Sequence, residues 1–542
     1  LSAKMTGTSE SRSGMMPMTI EEVAQAVSGR IVAPSGYVVP DGAVATSTYS
    51  DSRQIKSGSI FVAIAGERVD GHDFVAGLGA RGAVAALVER VVNGVDDITQ
   101  IVVDDTVAAL GRLAHHNIVR RRELDSPFSV IGITGSVGKT TTKDLLDSLL
   151  STIGETVAPV GSFNNDIGLP LTALKVGEHT RFFIAEMGAN HVGEIANLTR
   201  IVPPDVAVVL KVGVAHLGEF GSVERIAQAK SEIVQGLLPD GIAVLNADDR
   251  RVADMTKFAP GKVLWFGLNG EAKPEARRMS AADITVDALD RPSFTLMTPE
   301  GSSAPVHLGI GGAHNVINAL AAATLARHFG MPLADIASGL GGVKHISPHR
   351  MAVSTVGLGD AAFTLIDDSF NANPDSMRAG LDGLARWDAS AASAGQMAGN
   401  ADGEGTEPYR IAVLGAMLEL GSDELELHRQ IGAYAAGLNI DEIIAVGNET
   451  DRHFDRLAEA LARGAEQENE GAGTAERHGR TPVVVQWVHS SVQAERLVAE
   501  AARRHGNTVV LLKGSHVSGL SALAERWAHM QQQERTEVEP KH

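Results

Sequence analysis

The sequence predicts an α/β protein of three domains, the middle one a mostly parallel sheet of P-loop type and the last a doubly wound, Rossmann-like sheet. Three observations carry this expectation. The chain has 542 residues with 44% hydrophobic content, too much for a single core. From about Phe128 onward, short apolar runs alternate with helical patterns, as strands buried between helices do. Finally, the stretch SVIGITGSVGKTTTKDLL, Ser129 to Leu146, ends an apolar run in glycines, a lysine and threonines and then turns helical.

Taken in order, residues 1–17 are small and polar and are expected to form a disordered leader outside the fold. Residues 18–125 form a first α/β unit: a helix in TIEEVAQAVSG, strands in SIFVAIAG, GAVAALVE and ITQIVVDD, and a helix in VAALGRLAHHNIVRRR. Residues 126–343 form the central unit, with FSVIGITG, RFFIAEMG, DVAVVLKVG, GIAVLNAD and KVLWFG as buried strands. Residues 344–542 form the third, with strands in FTLIDDS, RIAVLGA, EIIAVG, PVVVQWV and TVVLLKG. Two small, polar, aperiodic segments inside it, 388–408 and 464–481, are expected to be mobile surface loops, and the tail from Gln531 to be frayed.

Composition narrows the chemistry. The absence of cysteine excludes disulfides, thiolate metal sites and cysteine nucleophiles, which leaves carboxylate, histidine and phosphate oxygen as metal ligands. A net charge of −19 argues against nucleic acid or a membrane surface as partner, so an anionic substrate needs local Lys, Arg or metal charge. No apolar run of about 18 residues and no secretory-type N-terminus is present. A soluble, cytoplasmic chain is therefore expected, and a monomer.

The loop Gly135–Ser136–Val137–Gly138–Lys139–Thr140–Thr141 lies between a predicted strand and a helix, where free backbone N–H groups and the helix dipole face an incoming phosphate. Lys139 can reach terminal phosphates and the Thr140 hydroxyl can serve a Mg²⁺ ion. Five residues separate Gly132 from Gly138 where the usual P-loop has four, so the matching pattern is the shorter G-x-x-G-K-T. Glu186 ends the next apolar strand, His216 follows the one after it, and Lys230 lies on the succeeding helix. Each has an ordinary alternative: a capping glutamate, a satisfied core histidine, a solvated lysine. Together they lie where open α/β sheets bind ligands, which favours a Mg²⁺–phosphate site.

The segments ITGSVGKTTTK, GSFNNDIGLPLT, AEMGANHVGEI, VAHLGEFGS, AKSEI, GAHNVINALAA, DDSFNANPDSM and LGAMLELG resemble the Mur ligase family. Within it they are most similar to the branch that joins D-Ala-D-Ala to UDP-N-acetylmuramoyl-tripeptide in peptidoglycan synthesis, using ATP and an acyl-phosphate intermediate. SDSRQIKSGSIFVAIAGERVDGHDF resembles the family's UDP-binding first domain, and the Asp-Asn-Pro-Arg string of the diaminopimelate-adding branch is absent. The resemblance implies that Glu186 and His216 are metal ligands, and that Lys230 is carbamylated by CO₂ into an anionic ligand. It places Asn315 and Asn318 near adenine, and gives Arg350 and Asp368 phosphate and ribose contacts from the last domain. Ser52 and Arg53 would lie in the uridine-diphosphate pocket, and Asn164 and Asn165 near the muramoyl peptide and phosphate. A helix cap for Asn315, a surface ion pair for Arg53 and plain turn roles for the paired asparagines are the structural alternatives. Two departures stand out: His349 occupies the position of a glycine before Arg350, and His516 that of an arginine after Lys-Gly-Ser. Rival functions are another family ligase that adds a single amino acid, and a nucleotide-binding regulator without turnover.

Overall fold

Each of the three alternating α/β segments closes a sheet of its own. The computed structural model describes residues 14–34, 44–66, 69–213, 217–344, 346–387, 407–471 and 482–538.

The first unit comprises β1 (Met18–Thr19), α1 (Ile20–Val27), β2 (Arg30–Val32), β3 (Val44–Ala45), β4 (Ser47–Tyr49), β5 (Ser59–Val62), β6 (Ala83–Val88), β7 (Thr99–Val102) and α2 (Thr106–Arg122). Its sheet runs β2-β7-β6-β5-β4, parallel except for β2. The helices begin at side-chain caps: Thr19 accepts from the Glu22 N–H and Asp105 from the Ala108 N–H, each satisfying a donor that the helix start leaves open. The expected leader is corrected at its end. Met15 and Met16 are buried in the first core, and the Met16 N–H donates to Asn117 Oδ1 at 2.9 Å, because two apolar side chains seal the seam beside α2. Residues 1–13 lie outside the described residues.

The seam to the central unit is largely apolar, with α2 and the central helices in one hydrophobic cluster, and two buried polar side chains of α2 cross it. Arg121 Nη2 donates to the Thr180 and Pro127 carbonyls at 2.7 and 3.0 Å, and Asn117 Nδ2 to those of Ala173 and Val176 at 3.0 and 2.9 Å. Buried carbonyls without such partners would be costly.

The central unit contains β8 (Ser129–Thr134), α3 (Lys139–Leu150), β9 (Thr156–Val157), α4 (Gly168–Ala173), β10 (Phe182–Glu186), α5 (Glu194–Ile201), β11 (Val206–Val209), α6 (Leu217–Phe220), α7 (Val223–Gln235), β12 (Ile242–Asn246), α8 (Arg250–Ala253), β13 (Val263–Phe266), β14 (Arg278–Val286), β15 (Pro292–Met297), β16 (Ser303–His307), α9 (Asn315–His328) and α10 (Leu333–Gly342). The sheet order is β16-β15-β14-β13-β12-β11-β8-β10-β9. All pairs from β9 to β14 are parallel, and β14–β16 add an antiparallel extension that the apolar runs do not announce. The chain reverses its direction of winding at β8, which lies between β10 and β11; the crevice beyond the carboxyl ends of such strands is where open α/β sheets hold ligands.

The last unit contains β17 (Ala352–Leu358), β18 (Ala361–Asp368), α11 (Pro374–Arg386), β19 (Tyr409–Leu414), α12 (Glu424–Ala436), β20 (Glu442–Val446), α13 (Arg452–Gly471), β21 (Val484–Val488), α14 (Ser491–His505), β22 (Thr508–Lys513) and α15 (Leu520–Val538). Its order is β17-β18-β22-β19-β20-β21, parallel apart from the antiparallel edge strand β17.

Two loop expectations are corrected here. Residues 464–471 close α13 rather than opening a loop, because Gly464 and Ala465 are small enough for α12 and α13 to touch backbone to backbone. The tail continues as helix to Val538. Residues 388–406, 472–481 and 539–542, the rest of those expectations, lie outside the described residues. No helix among the described residues is long and apolar enough to cross a membrane.

The α12–α13 contact yields a prediction. A Cβ at Gly464 would collide with the Arg429 carbonyl, so Gly464→Val should destabilise the protein by roughly 1–3 kcal/mol in denaturant unfolding. Gly471→Ala, whose Cβ meets nothing within 4 Å, should shift stability by no more than about 0.5 kcal/mol.

Candidate active site

The loop after β8 folds as its glycines dictate. Gly138 sits at the N-cap of α3 with φ +85°, a conformation that side chains disfavour, and an added Cβ would run into the Asn318 side chain. Lys139 Nζ donates to the Gly135 carbonyl at 2.9 Å. The Ser136 N–H donates to the Lys211 carbonyl at 2.8 Å, and Ser136 Oγ accepts from the Gly213 N–H at 2.9 Å. The loop is thereby tied to the end of β11.

Parallel pairing of β10 with β8 puts Glu186 opposite Ile133, at the edge of that loop. Glu186 is only 1% exposed. Its Oε2 accepts from Thr140 Oγ1 at 3.0 Å and its Oε1 from Asn164 Nδ2 at 2.9 Å, while the Lys139 ammonium lies close enough to act on it electrostatically. Lys139 loses affinity for its proton through desolvation, which outweighs the opposing pull of Glu186, and Arg350 pushes in the same direction as burial.

Lys230, on α7, is 2% exposed rather than on a solvated face. Desolvation and then repulsion from Lys139 lower its pKa to about 7. A buried amine this far below its ordinary range has a substantial neutral, nucleophilic fraction at neutral pH.

The last unit closes the site from above. A cavity of about 280 Å³ is lined by Ser136 to Thr141 and by Asn315, Asn318, Arg350, Asp368 and Lys513, among others; the carboxyl ends of both parallel sheets thus border one space. Arg350 Nη2 donates to Thr140 Oγ1 at 3.3 Å, and its guanidinium lies over the Phe370 ring at 4.4 Å. Asp368 pairs with the buried Lys513 at 2.6 Å. Asn318 Nδ2 donates to Asn315 Oδ1 at 2.8 Å, and Asn315 Nδ2 to the Gly311 carbonyl at 2.7 Å. Lys211 reaches Asp375 of the last unit at 3.7 Å, and the Gly218 N–H donates to the Glu419 carbonyl at 2.9 Å.

The expected residues divide as follows. Lys139, Thr140, Glu186 and Asn164 share one hydrogen-bonded and electrostatic cluster, and Lys230 joins it through Lys139. Asn165 does not: its Oδ1 accepts from the Gly168 N–H at 2.8 Å at the start of α4, the plain turn role. Ser52 and Arg53 lie in the first unit, where Arg53 forms an exposed ion pair with Asp51 at 2.8 Å. His216 lies outside the described residues. Among the described residues no three His, Asp or Glu side chains gather as a metal set, so the oxygen donors on view are Glu186 and Thr140. Lys513 and Lys211 were not anticipated, although each ends an apolar strand run, LLK and VVLK, where a lysine is out of place unless it faces a ligand or a carboxylate.

Residues 133–326 match the Mur ligase middle domain, 349–516 the Mur ligase glutamate ligase domain, and 46–118 the Mur ligase family catalytic domain. The chain is 38% identical over 530 residues to the UDP-N-acetylmuramoyl-tripeptide–D-alanyl-D-alanine ligase of Mycobacterium tuberculosis (strain ATCC 25618 / H37Rv), covering 94% of this chain and 98% of that one. It is 35% identical to the Escherichia coli (strain K12) ligase of the same name, over 80% of this chain and 87% of that one. Among solved structures, MurF from Acinetobacter baumannii superposes with a TM-score of 0.75 at 32% identity, covering 95% and 99% of the two chains. MurF from Thermotoga maritima in complex with ADP gives 0.67 at 26% identity, covering 90% of this chain and 98% of that one.

Gly138→Ala tests the loop. Strain at a left-handed position plus the collision with Asn318 should cost about 1–3 kcal/mol, and calorimetric titration should show affinity for a nucleoside triphosphate reduced at least about tenfold.

Proposed function

The chain belongs to the Mur ligase family, and from that premise we propose how its own residues carry the reaction. It is an ATP-dependent amide ligase that joins D-Ala-D-Ala to UDP-N-acetylmuramoyl-tripeptide, a step of peptidoglycan synthesis. The observation that carries the residue assignment is the junction of Lys139, Thr140 and Glu186 with Arg350 and Asp368 at the facing ends of two sheets.

In this reading the Gly135–Thr141 loop and the start of α3 hold the ATP phosphates, with Lys139 beside the terminal ones. Asn315 and Asn318 face the base, while Arg350 and Asp368 meet phosphate and ribose from the last domain. Ser52 and Arg53 belong to the uridine-diphosphate pocket, whose cation is available once Arg53 exchanges Asp51 for a ligand. Asn164, already bonded to Glu186, stands between phosphate and peptide; Asn165 supports the loop through its turn bond to the Gly168 N–H.

The terminal carboxylate of the tripeptide attacks the γ-phosphorus; the bond to the β-phosphate oxygen breaks, ADP leaves, and an acyl phosphate forms. The amine of D-Ala-D-Ala then adds to the acyl carbon, phosphate departs, and the amine's proton is lost. Lys139 and Arg350 neutralise the charge that spreads over the transferring phosphoryl oxygens. Contacts from the last domain exclude water, which would otherwise hydrolyse the acyl phosphate.

The donor chemistry fits a hard divalent cation: among the described residues the buried Glu186 carboxylate has a hydroxyl and an amide as its hydrogen-bond donors, with no cation bonded to it directly, so its oxygens form an oxygen-donor site of the kind Mg²⁺ takes. Thr140 and Glu186 would hold Mg²⁺, with His216 as the family's further ligand position. Bound there, Mg²⁺ supplies Lewis-acid polarisation of phosphoryl oxygen. Lys230 completes the set as a carbamate: the neutral amine adds to CO₂, loses a proton and becomes an anionic oxygen ligand. Burial without a carboxylate partner among the described residues, and a pKa of about 7, support that chemistry.

Two measurements test this reading. Phosphate release should require ATP, UDP-N-acetylmuramoyl-tripeptide and D-Ala-D-Ala together; equal turnover with a single amino acid in place of the dipeptide would move the chain to another branch of the family. Lys230→Ala should slow phosphate release by about 10²-fold or more at unchanged fold stability, with partial recovery in acetate over chloride at matched ionic strength. Near wild-type release from the unsupplemented variant would refute the carbamate.

A further inference from the structure

The segment Ser347–Met351 links the central and last domains, and its two anchors lie only two residues apart. On the central side, the Ser347 N–H donates to Asp144 Oδ2 at 2.8 Å and Ser347 Oγ to Asp144 Oδ1 at 3.1 Å. On the other side, His349 Nδ1 meets Asp367 Oδ2 at 2.7 Å, its Nε2 faces Glu525 Oε1 at 3.5 Å, and its carbonyl accepts from the Phe370 N–H at 3.2 Å. Between them the chain makes an unfavourable turn: His349 has φ +60° and Met351 φ +49°, positions where glycine is the undemanding choice. A non-glycine residue persists in such a conformation only when its surroundings over-determine it.

The surroundings here are ionic. Asp367 is 8% exposed, and its other oxygen accepts from Ser369 Oγ at 2.6 Å and from the Ser369 N–H at 3.2 Å, so its geometry is fixed independently of His349. The next residue along from His349 is Arg350, stacked on Phe370 and reaching Thr140.

We propose that His349 is a positioning residue, a cationic clamp that pins the interdomain linker to Asp367 and Glu525 so that Arg350 is delivered to Thr140 and the nucleotide cavity. This rests on the reading of that cavity as the ATP site. A glycine would satisfy the turn but leave Arg350 on a free swivel. The titratable groups acting on the imidazole are Asp367 and Glu525; the Asp367 hydrogen bond raises its pKa above the usual histidine value, against a smaller effect of burial. The sign follows: the clamp is charged below that raised pKa, and is lost as pH rises through it.

The test uses H349G and H349N, which both tolerate the left-handed backbone, and D367N, which removes the counter-charge without touching the turn. At pH 6.5 each should bind ATP about tenfold more weakly than wild type in calorimetric titration, and should lose a similar factor in kcat/KM for ATP in phosphate release. The KM for UDP-N-acetylmuramoyl-tripeptide should stay unchanged. The wild-type-to-variant ratio should fall toward one as pH is raised toward 9. Wild-type ATP affinity in H349G at pH 6.5, or a ratio independent of pH, overturns the clamp. Absence of turnover in wild type would instead refute the ligase reading, and the ATP titrations would still decide the clamp.

Discussion

A carboxylate that is 1% exposed at the end of a strand is the constraint around which the centre of this molecule is organised. Leaving Glu186 charged and unpartnered there would cost several kcal/mol, so neighbouring segments must bring it donors and positive charge. The phosphate loop brings Thr140 and the field of Lys139, and the loop before α4 brings Asn164. The turn of α3, the loop from Gly161 to Asp166 and the strand end therefore cannot be placed independently. A divalent cation would find these oxygens already gathered, with little further reorganisation needed at binding.

The same cluster sets how the last domain engages. Arg350 donates to the Thr140 hydroxyl that itself donates to Glu186, so one short chain of hydrogen bonds runs from the last domain, through the phosphate loop, to the buried carboxylate. Lys211–Asp375 and the Gly218–Glu419 backbone contact flank it. The meeting of two sheet ends gives the loop after β8 and the last domain one shared cavity. The left-handed turn at His349 belongs to this arrangement, since it directs consecutive side chains to different domains.

Much of the site was legible because phosphate chemistry leaves local marks. A strand, a G-x-x-G-K-T turn and a helix start occupy one continuous stretch, and their meaning needs no distant residue. Glu186 was legible for a related reason, a charge closing an apolar run. Lys230 was singled out by its place after a strand end, but its burial was not legible: its helix reads as amphipathic with the lysine outside, and only the packing of α7 against the sheet shows it buried beside Lys139. The paired asparagines were indistinguishable in sequence yet diverge in structure, one bonded to Glu186 and the other closing a local turn before α4. The helical run from Gly464 to Gly471 was hidden because Gly464, which weakens a helix in isolation, is what allows α13 to approach α12 closely.

By itself the sequence determined the alternation of buried strands with helices in each unit, the glycine-rich loop and the family, since these depend on residue type and spacing over a few tens of positions, where hydrophobic period, glycine placement and terminal charge act locally. Tertiary structure alone decided which polar residues share a site. Arg350 and Thr140 are separated by 210 residues and Asn318 and Thr142 by 176, and nothing in either neighbourhood encodes the other. Whether a lysine is a solvated ammonium or a desolvated amine, and whether a histidine in a turn is a strained substitute for glycine or an anchor between domains, depends on which charges the folded chain brings within a few ångströms. Coulombic and desolvation energies act through space and not along the chain.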